Sequence, residues 1–468
     1  MGVVLNESPL MRSRPGQWLA VRVAPVIATV ATLVLGMLYV IDWAGVAHGD
    51  FTRWMTPSDI WGTYLNSMAL VLHGQLTAAY AAYPGALLLF APVAAVGHAL
   101  HLEVGPEFAA FTAPTGWVLV GPFELLVSMV PIFAVDTMGR RWGLSTPRRI
   151  GLALVGAFVL ANVTIKGGHP EDAVAVGLAL FAAIAAADGK WKRCGWLLGV
   201  AVVIQPLAVL ALPALATVVV VVAGWRRFVD FALRAVLPAV VVLGPALIAD
   251  WGQLSYWLRH QPNFPTYNHF TPWTSFAGQV AVKVPTFSPF TGKVLFYQYS
   301  HVLGVNEGPS RLVAIAAVVL VSVLWCRVRH RLADIVFVLG LAFFLRVLFE
   351  SVLDSYYVWP VLAICLALAA RRSARLLAVT SVVAVFATWL SNEQWSGMWP
   401  WWTAMMLTLA VLVVLSWLGY TAPSAATRGP EGPPPPGGLG ESPKPRPPEG
   451  PALREEDVAV EAPGVAVS

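Results

Sequence analysis

Lys166-Gly-Gly-His-Pro-Glu-Asp172 separates two apolar runs, Ile150 to Ile165 and Ala173 to Ala187. The runs read as membrane spans. The stretch between them carries an ammonium, an imidazole and two carboxylates. Ionisable groups at a bilayer boundary are costly and usually face protein or a water-filled cavity. Gly167, Gly168 and Pro170 break a continuous helix, so the backbone is expected to open here. The plainer reading is a polar loop joining two spans. A loop needs neither this charge density nor this position, which favours a functional site.

The rest of the chain agrees with a membrane setting. Of 468 residues, 57% are hydrophobic and 12% charged, with a mean hydropathy of +0.69. Soluble domains carry about 25% charged residues. At ~20 residues per span the expectation is an all-α polytopic membrane protein of about 10–12 helices, with short interfacial helices in its outer loops. The net charge of +5 is assigned to basic loops between spans, not to a nucleic-acid surface. Cys194, Cys326 and Cys365 form neither a disulfide framework nor a CxxC metal site. Leu19 to Ile41 is long enough to span and has no small-residue cleavage site after it, so it is read as a span and not a cleaved signal.

Arg12, Arg14 and Arg22 precede the first span, which places residues 1–18 in the cytoplasm by the positive-inside rule. Short loops at 139–149, 188–193, 224–228, 326–331 and 371–375 hold 4, 3, 2, 3 and 3 Lys or Arg, and are therefore assigned inside. Residues 42–83 hold one and residues 251–309 three, so these long loops are assigned outside. The transmembrane domain is 19–420. Two regions do not close simply. Residues 84–138 show two apolar runs where the topology needs an odd number of crossings, and a third short span within 101–125 is the favoured resolution. Residues 194–223 begin and end at basic loops, yet 30 residues at 1.5 Å each cannot cross a ~30 Å core twice. The turn is placed at Gln205-Pro206, inside a protein cavity. Residues 421–468 contain 12 Pro and 7 Gly and read as a disordered cytoplasmic tail.

Polar chemistry concentrates on the outer side. Six of nine histidines lie there, with Asp59, Glu171, Asp172, Glu350, Asp354 and many aromatics. Part of that aromatic set is an interfacial belt. The histidine spacings are irregular and contain no HExxH pair, so no metal site is expected. In the first outer segment, Ser58-Asp-Ile-Trp-Gly-Thr-Tyr64, Ser58 is a helix-cap candidate and Asp59 sits in the first turn. Asp59 is either a dipole-stabilising helix-end residue or a general base held above the bilayer. The residues alone divide these evenly.

The order of features resembles the bacterial GT-C glycosyltransferases, in particular the polyprenyl-phosphomannose-dependent α-mannosyltransferases of actinobacterial envelopes. The matching elements are Asp59, Tyr64, Leu72-His-Gly74 and Tyr83-Pro84, with Gly85 in place of a second proline. They continue through Gly168-His-Pro-Glu-Asp-Ala, the basic turn Asp188-Gly-Lys-Trp-Lys-Arg193, and Gly195-Trp-Leu-Leu-Gly199 followed by Gln205-Pro206. Asp354-Ser-Tyr-Tyr-Val-Trp-Pro360 resembles the start of a late family span. Gln205 stands where the family has lysine, and Tyr356-Tyr357 where some relatives have histidines.

The resemblance implies an enzyme of the plasma membrane, without cofactor, whose site faces the extracytoplasmic side. It implies transfer of a sugar, mannose by the nearest likeness, from a polyprenyl-phosphate donor to an envelope glycolipid or glycan. Asp59 is the implied catalytic base. Tyr64, Tyr83, His169, Glu171, Asp172, Gln205, Tyr356 and Tyr357 are the substrate-binding candidates, and Lys166, Arg259 and Arg346 the phosphate-binding ones. The lack of a nucleotide-sugar phosphate loop agrees with a lipid donor. A transporter or flippase of envelope precursors is the competing class, since broken helices and intramembrane polar groups are equally expected there; a catalytically silent relative is the third.

Overall fold

The structure, a computed structural model, describes residues 19, 21–40, 84–100, 114–162, 168–249, 251–252, 255, 262–263, 269–287, 294–304, 309–393 and 398–421. Residues 1–18, 41–83 and those from 422 on lie outside them.

Helices follow one another along the chain. They are α1 (Val23–Val40), α2 (Pro84–Ala99), α3 (Pro114–Ser128), α4 (Val130–Arg141), α5 (Thr146–Leu160), α6 (Pro170–Ala187) and α7 (Trp191–Ile204). A 3-10 turn, Pro206–Ala211, leads into α8 (Leu212–Ala223) and then α9 (Trp225–Ala249). After the second long loop come α10 (Pro309–Cys326), α11 (Leu332–Phe349), α12 (Trp359–Arg372), α13 (Ala374–Asn392) and α14 (Met398–Tyr420). Among the described residues, eight helical segments are long and apolar enough to cross a membrane. This is a multi-pass α-helical membrane protein.

Burial sorts these helices by what surrounds them. The α6 segment is 83% buried, whereas the segment beginning α9 is only 11% buried. A helix that is apolar all round and still buried must be enclosed by other helices. Accordingly α6 packs against α3, α4, α7, α8 and α11. Every residue from Trp359 to Ala370 of α12 is buried as well. α9 and α10 carry their exposed Leu and Val side chains on the outside of the bundle.

The basic loops assemble at one end. Arg141 pairs with Asp188, and its Nη2 donates to Asp188 Oδ2 at 2.8 Å. Arg148 donates to the Ala370 carbonyl at 3.3 Å, and Arg372 to the Leu418 carbonyl at 2.9 Å. These bonds tie the loops after α4, α6 and α12 to the end of α14, as the alternation of basic loops requires. Arg141 holds the Asp188 carboxyl down at about 2, with Lys190 assisting. A depressed folded value means that this clamp acts fully above the ordinary carboxylate pKa of about 4 and is lost as pH falls toward 2.

The 30-residue excursion resolves as expected. α7 stops at Ile204, Gln205 is extended (φ −147°, ψ 115°), and Pro206 opens the 3-10 turn into α8. Gly195 and Gly199 lie on one face of α7. A Cβ added to them would sit 2.5 Å from the Phe231 carbonyl oxygen and 2.4 Å from that of Ala235. The Gly-x-x-x-Gly pattern therefore exists so that α7 and α9 can touch backbone to backbone. Gly199→Val is expected to separate them and to destabilise the protein by about 2 kcal/mol, the usual cost of overpacking. A lowered melting temperature in detergent, followed by tryptophan fluorescence, checks this.

Between α2 and α5, α3 and α4 follow each other across a turn at Met129, ahead of Pro131; residues 101–113, where a third short span was expected to begin, lie outside the described residues. One sequence expectation needs correction: the long loop 251–309 contains strands where short interfacial helices were expected. β3 (Gly278–Phe287) and β4 (Val294–Gly304) form an antiparallel ladder, which β1 (Pro262–Asn263) extends on the β4 side. Val280, Val282 and Val284 alternate with other residues, a period-2 pattern of β-branched side chains suited to a strand. A separate pair joins β2 (His269–Phe270) to β5 (Val352–Leu353), next to the end of α11.

Candidate functional site

The end opposite the basic loops holds the polar residues. Gly168 has φ +75°, a conformation that favours glycine, and turns the chain into α6. Pro170 occupies the first helical turn and His169 the cap position. Glu171 and Asp172 follow in that first turn, where helix-dipole interaction favours negative charge. Despite their charge they are 0% and 3% exposed, and His169 is 6% exposed. Burial at this level demands partners.

Those partners come from three other elements. His169 Nδ1 lies 2.8 Å from Glu171 Oε1, so the two groups share a proton-mediated hydrogen bond. The His169 ring stacks on Tyr356 with centroids 3.7 Å apart. Gln205, at the broken end of α7, donates from Nε2 to Asp172 Oδ1 at 2.5 Å. Tyr356 donates its hydroxyl to Asp354 Oδ2 at 2.9 Å and meets Tyr357 edge-on. The Arg346 guanidinium lies 3.9 Å over the Tyr357 ring, a cation–π arrangement. Burial, then the Asp354 carboxylate, pushes the Tyr357 hydroxyl above its ordinary pKa, so it stays protonated.

A second carboxylate organises the cations. Glu350 is 2% exposed and bridges two arginines: Arg346 Nε at 3.2 Å from Oε2 and Arg311 Nε at 3.2 Å from Oε1. Arg346 is also within electrostatic range of Asp172. Its Nη1 is buried without a hydrogen-bond partner among the described residues. Nη1 is thus a donor open to an anion.

The long loop braces this corner from above. Thr271 Oγ1 donates to the Glu350 carbonyl at 2.7 Å, Trp273 Nε1 to the Leu348 carbonyl at 2.9 Å, and Thr274 Oγ1 to the Ser351 carbonyl at 2.5 Å. These carbonyls lie at the end of α11 and just past it, where no further helical turn supplies donors.

Of the candidates read from the sequence, the fold brings together His169, Glu171, Asp172, Gln205, Arg346, Tyr356 and Tyr357. Gln205, in the lysine position of the resembling family, binds a carboxylate of the pocket. Asp59, Tyr64, Tyr83, Lys166 and Arg259 lie outside the described residues. The structure adds four residues that were not chosen: Glu124, Glu350, Arg311 and Asp354. Glu124, on α3, acts electrostatically on Glu171 and His169, and its Oε1 is buried without a hydrogen-bond partner among the described residues. Its position inside an apolar run was the signal that could have found it. Among the described residues, no three His, Cys, Asp or Glu side chains could hold a metal ion.

Fold and site together define a multi-pass membrane protein with a buried cluster of acidic, aromatic and cationic side chains where several helix ends meet. Comparison with known proteins carries the classification no further: no protein-family model matches the sequence, and no curated protein matches it significantly.

Proposed function

We propose that this protein is a plasma-membrane glycosyltransferase of GT-C type, transferring a sugar, mannose, from a polyprenyl-phosphate donor to an envelope glycolipid or glycan outside the cell. The observation that carries this reading is the convergence of seven sequence-chosen residues, from α6, the end of α7, α11 and the turn before α12, in one side-chain cluster at a single end of the bundle. A pocket at helix ends supports chemistry on a lipid-anchored substrate more than a carrier site, which lies near the membrane midplane.

In this mechanism the acceptor hydroxyl oxygen attacks the anomeric carbon of the sugar. The bond from that carbon to the phosphate oxygen breaks on the opposite face, and the configuration inverts. Asp59 takes the hydroxyl proton, and polyprenyl phosphate leaves with the electron pair. Arg346, assisted by Lys166 and Arg259, meets the phosphate charge; bidentate hydrogen bonding suits a guanidinium to that task. Glu171 and Asp172, held by His169 and Gln205, face the sugar hydroxyls as acceptors, and Tyr356 and Tyr357 wall the pocket.

Membranes containing the protein, supplied with polyprenyl-phosphate-linked sugars, are expected to transfer the sugar. Asp59→Asn is expected to reduce the rate by about 10²–10⁴, the range for loss of general-base catalysis. Activity like the wild type in that variant overturns the assignment of Asp59.

A further inference from the structure

The basic end carries a feature that the proposed reaction does not use. A groove of about 350 Å³ lies where the start of α13 meets the end of α14, lined by Arg372, Ser373, Arg375, Leu376, Val379 and Leu418. Its polar and apolar halves are segregated. Arg372 and Arg375 stand at the helix ends. Val379 lies a turn further along α13 and Leu418 near the end of α14, on two helices long and apolar enough to cross a membrane, and they are 52% and 41% exposed. Only 39% and 33% of those two spans are buried within the protein, so their outer faces meet lipid.

Charge in this corner is one-sided. Among the described residues, no carboxylate lines the groove. Arg372 Nη1 donates to the Leu418 carbonyl at 2.9 Å, which seats its guanidinium across the mouth. Arg371 next to it bonds the Tyr420 carbonyl at 2.5 Å. Asp334, the nearby acid, is engaged by the Tyr420 hydroxyl at 2.7 Å and the Arg331 amide at 2.8 Å. Arg375 has no hydrogen bond or ion pair among the described residues, and Ser373 Oγ accepts from the Leu376 amide. An uncompensated positive pair is thus held at the height where an apolar surface begins.

We infer that this groove binds an anionic glycerophospholipid, with its headgroup phosphate between Arg372 and Arg375 and its acyl chains along Val379 and Leu418. A phosphodiester presents two charged non-bridging oxygens, acceptors suited to guanidinium donors. Basic pockets at the ends of membrane helices take anionic headgroups on this principle, each basic residue strengthening binding about fivefold. A free phosphate gains nothing from Leu376, Val379 and Leu418, whereas an acyl chain covers them. The site lies at the opposite end of the bundle from the pocket proposed for sugar transfer and does not depend on that reading.

The test uses the full chain purified in a neutral detergent. Its melting temperature is measured with added phosphatidylglycerol, with phosphatidylcholine of the same acyl chains, and with inorganic phosphate. Native mass spectrometry counts retained lipid. Phosphatidylglycerol is expected to raise the melting temperature and to remain bound, and the other two are expected to do neither. Arg375→Gln is expected to reduce phosphatidylglycerol retention about fivefold while leaving the melting temperature without lipid unchanged. Arg375→Lys is expected to restore most of the retention. Equal effects of the two lipids, an equal effect of inorganic phosphate, or undiminished phosphatidylglycerol retention by Arg375→Gln would each overturn the proposal.

Discussion

Arg346→Ala is expected to lower sugar transfer from a polyprenyl-phosphate donor about 100- to 1,000-fold, the loss typical of removing one preorganised charge-stabilising donor. The expectation follows from how the guanidinium is held. Its Nε engages Glu350, its plane lies over Tyr357, and Nη1 is buried with no partner among the described residues. Arginine so placed costs free energy unless an anion completes it. Arg346→Lys keeps the charge but loses the planar fork, and should recover only part of the rate. Donor-analogue binding separates this from a general defect. The variant should lose affinity for polyprenyl phosphate and keep its melting temperature within a few degrees, because Arg311 still pairs with Glu350. Undiminished transfer by Arg346→Ala removes the arginine from the mechanism.

The second large effect concerns stability. Asp136, on α4, is 3% exposed and faces three arginines. Arg149 Nε donates to its Oδ1 at 2.7 Å; Arg22 Nη1 and Arg140 Nε lie 3.6 Å and 3.5 Å from Oδ2. Arg149 also donates to the Val21 carbonyl at 2.9 Å, and Arg22 to Thr137 Oγ1 at 2.5 Å. One carboxylate thus joins α4, α5 and the segment leading into α1. Asp136→Ala leaves Arg149, itself 8% exposed, without its counter-ion. Breaking a buried ion pair from one side costs about 3–5 kcal/mol. The variant should melt well below the wild type in detergent, and adding Arg149→Leu should recover part of the loss. A melting temperature equal to that of the wild type contradicts the role assigned here.

Glu124→Gln tests the residue that sequence reading passed over. The change keeps the shape and replaces the buried carboxyl beside Glu171 and His169 with an amide. It should alter transfer by about tenfold or more without unfolding the protein, and transfer like the wild type would place Glu124 outside the working pocket.

Much of the architecture was legible because membrane helices obey one-dimensional rules. Apolar runs mark spans, and arginines mark the ends that stay on one side. The loops at 139–149, 188–193, 326–331 and 371–375 are indeed linked at a common end. The stretch around Gly168 was legible for a similar reason: a glycine, a proline and two carboxylates between apolar runs cannot continue a lipid-facing helix. Glu350 and Arg311 were less so, because each alone reads as a charge at a span boundary. Their meaning is the bridge to Arg346, and a bridge requires knowing which helix ends meet. The β3–β4 ladder was missed because outer loops were assigned by charge, and strand alternation within them was not weighed.

By itself, then, the sequence determined that this chain is a bundle of membrane helices, where the bundle breaks at Gly168 and at Gln205-Pro206, and which side chains are too polar to face lipid. Hydropathy and local conformational preference suffice for that, since each depends on a residue and its near neighbours. Tertiary structure alone decided that α6 and α12 are enclosed, that Gly195 and Gly199 bring α7 against the backbone of α9, and that Asp172, Gln205, Tyr357 and Arg346 come together in one cluster. Those facts depend on which helices pack together, and packing is selected by the shapes of two surfaces at once, a property no single stretch of chain contains.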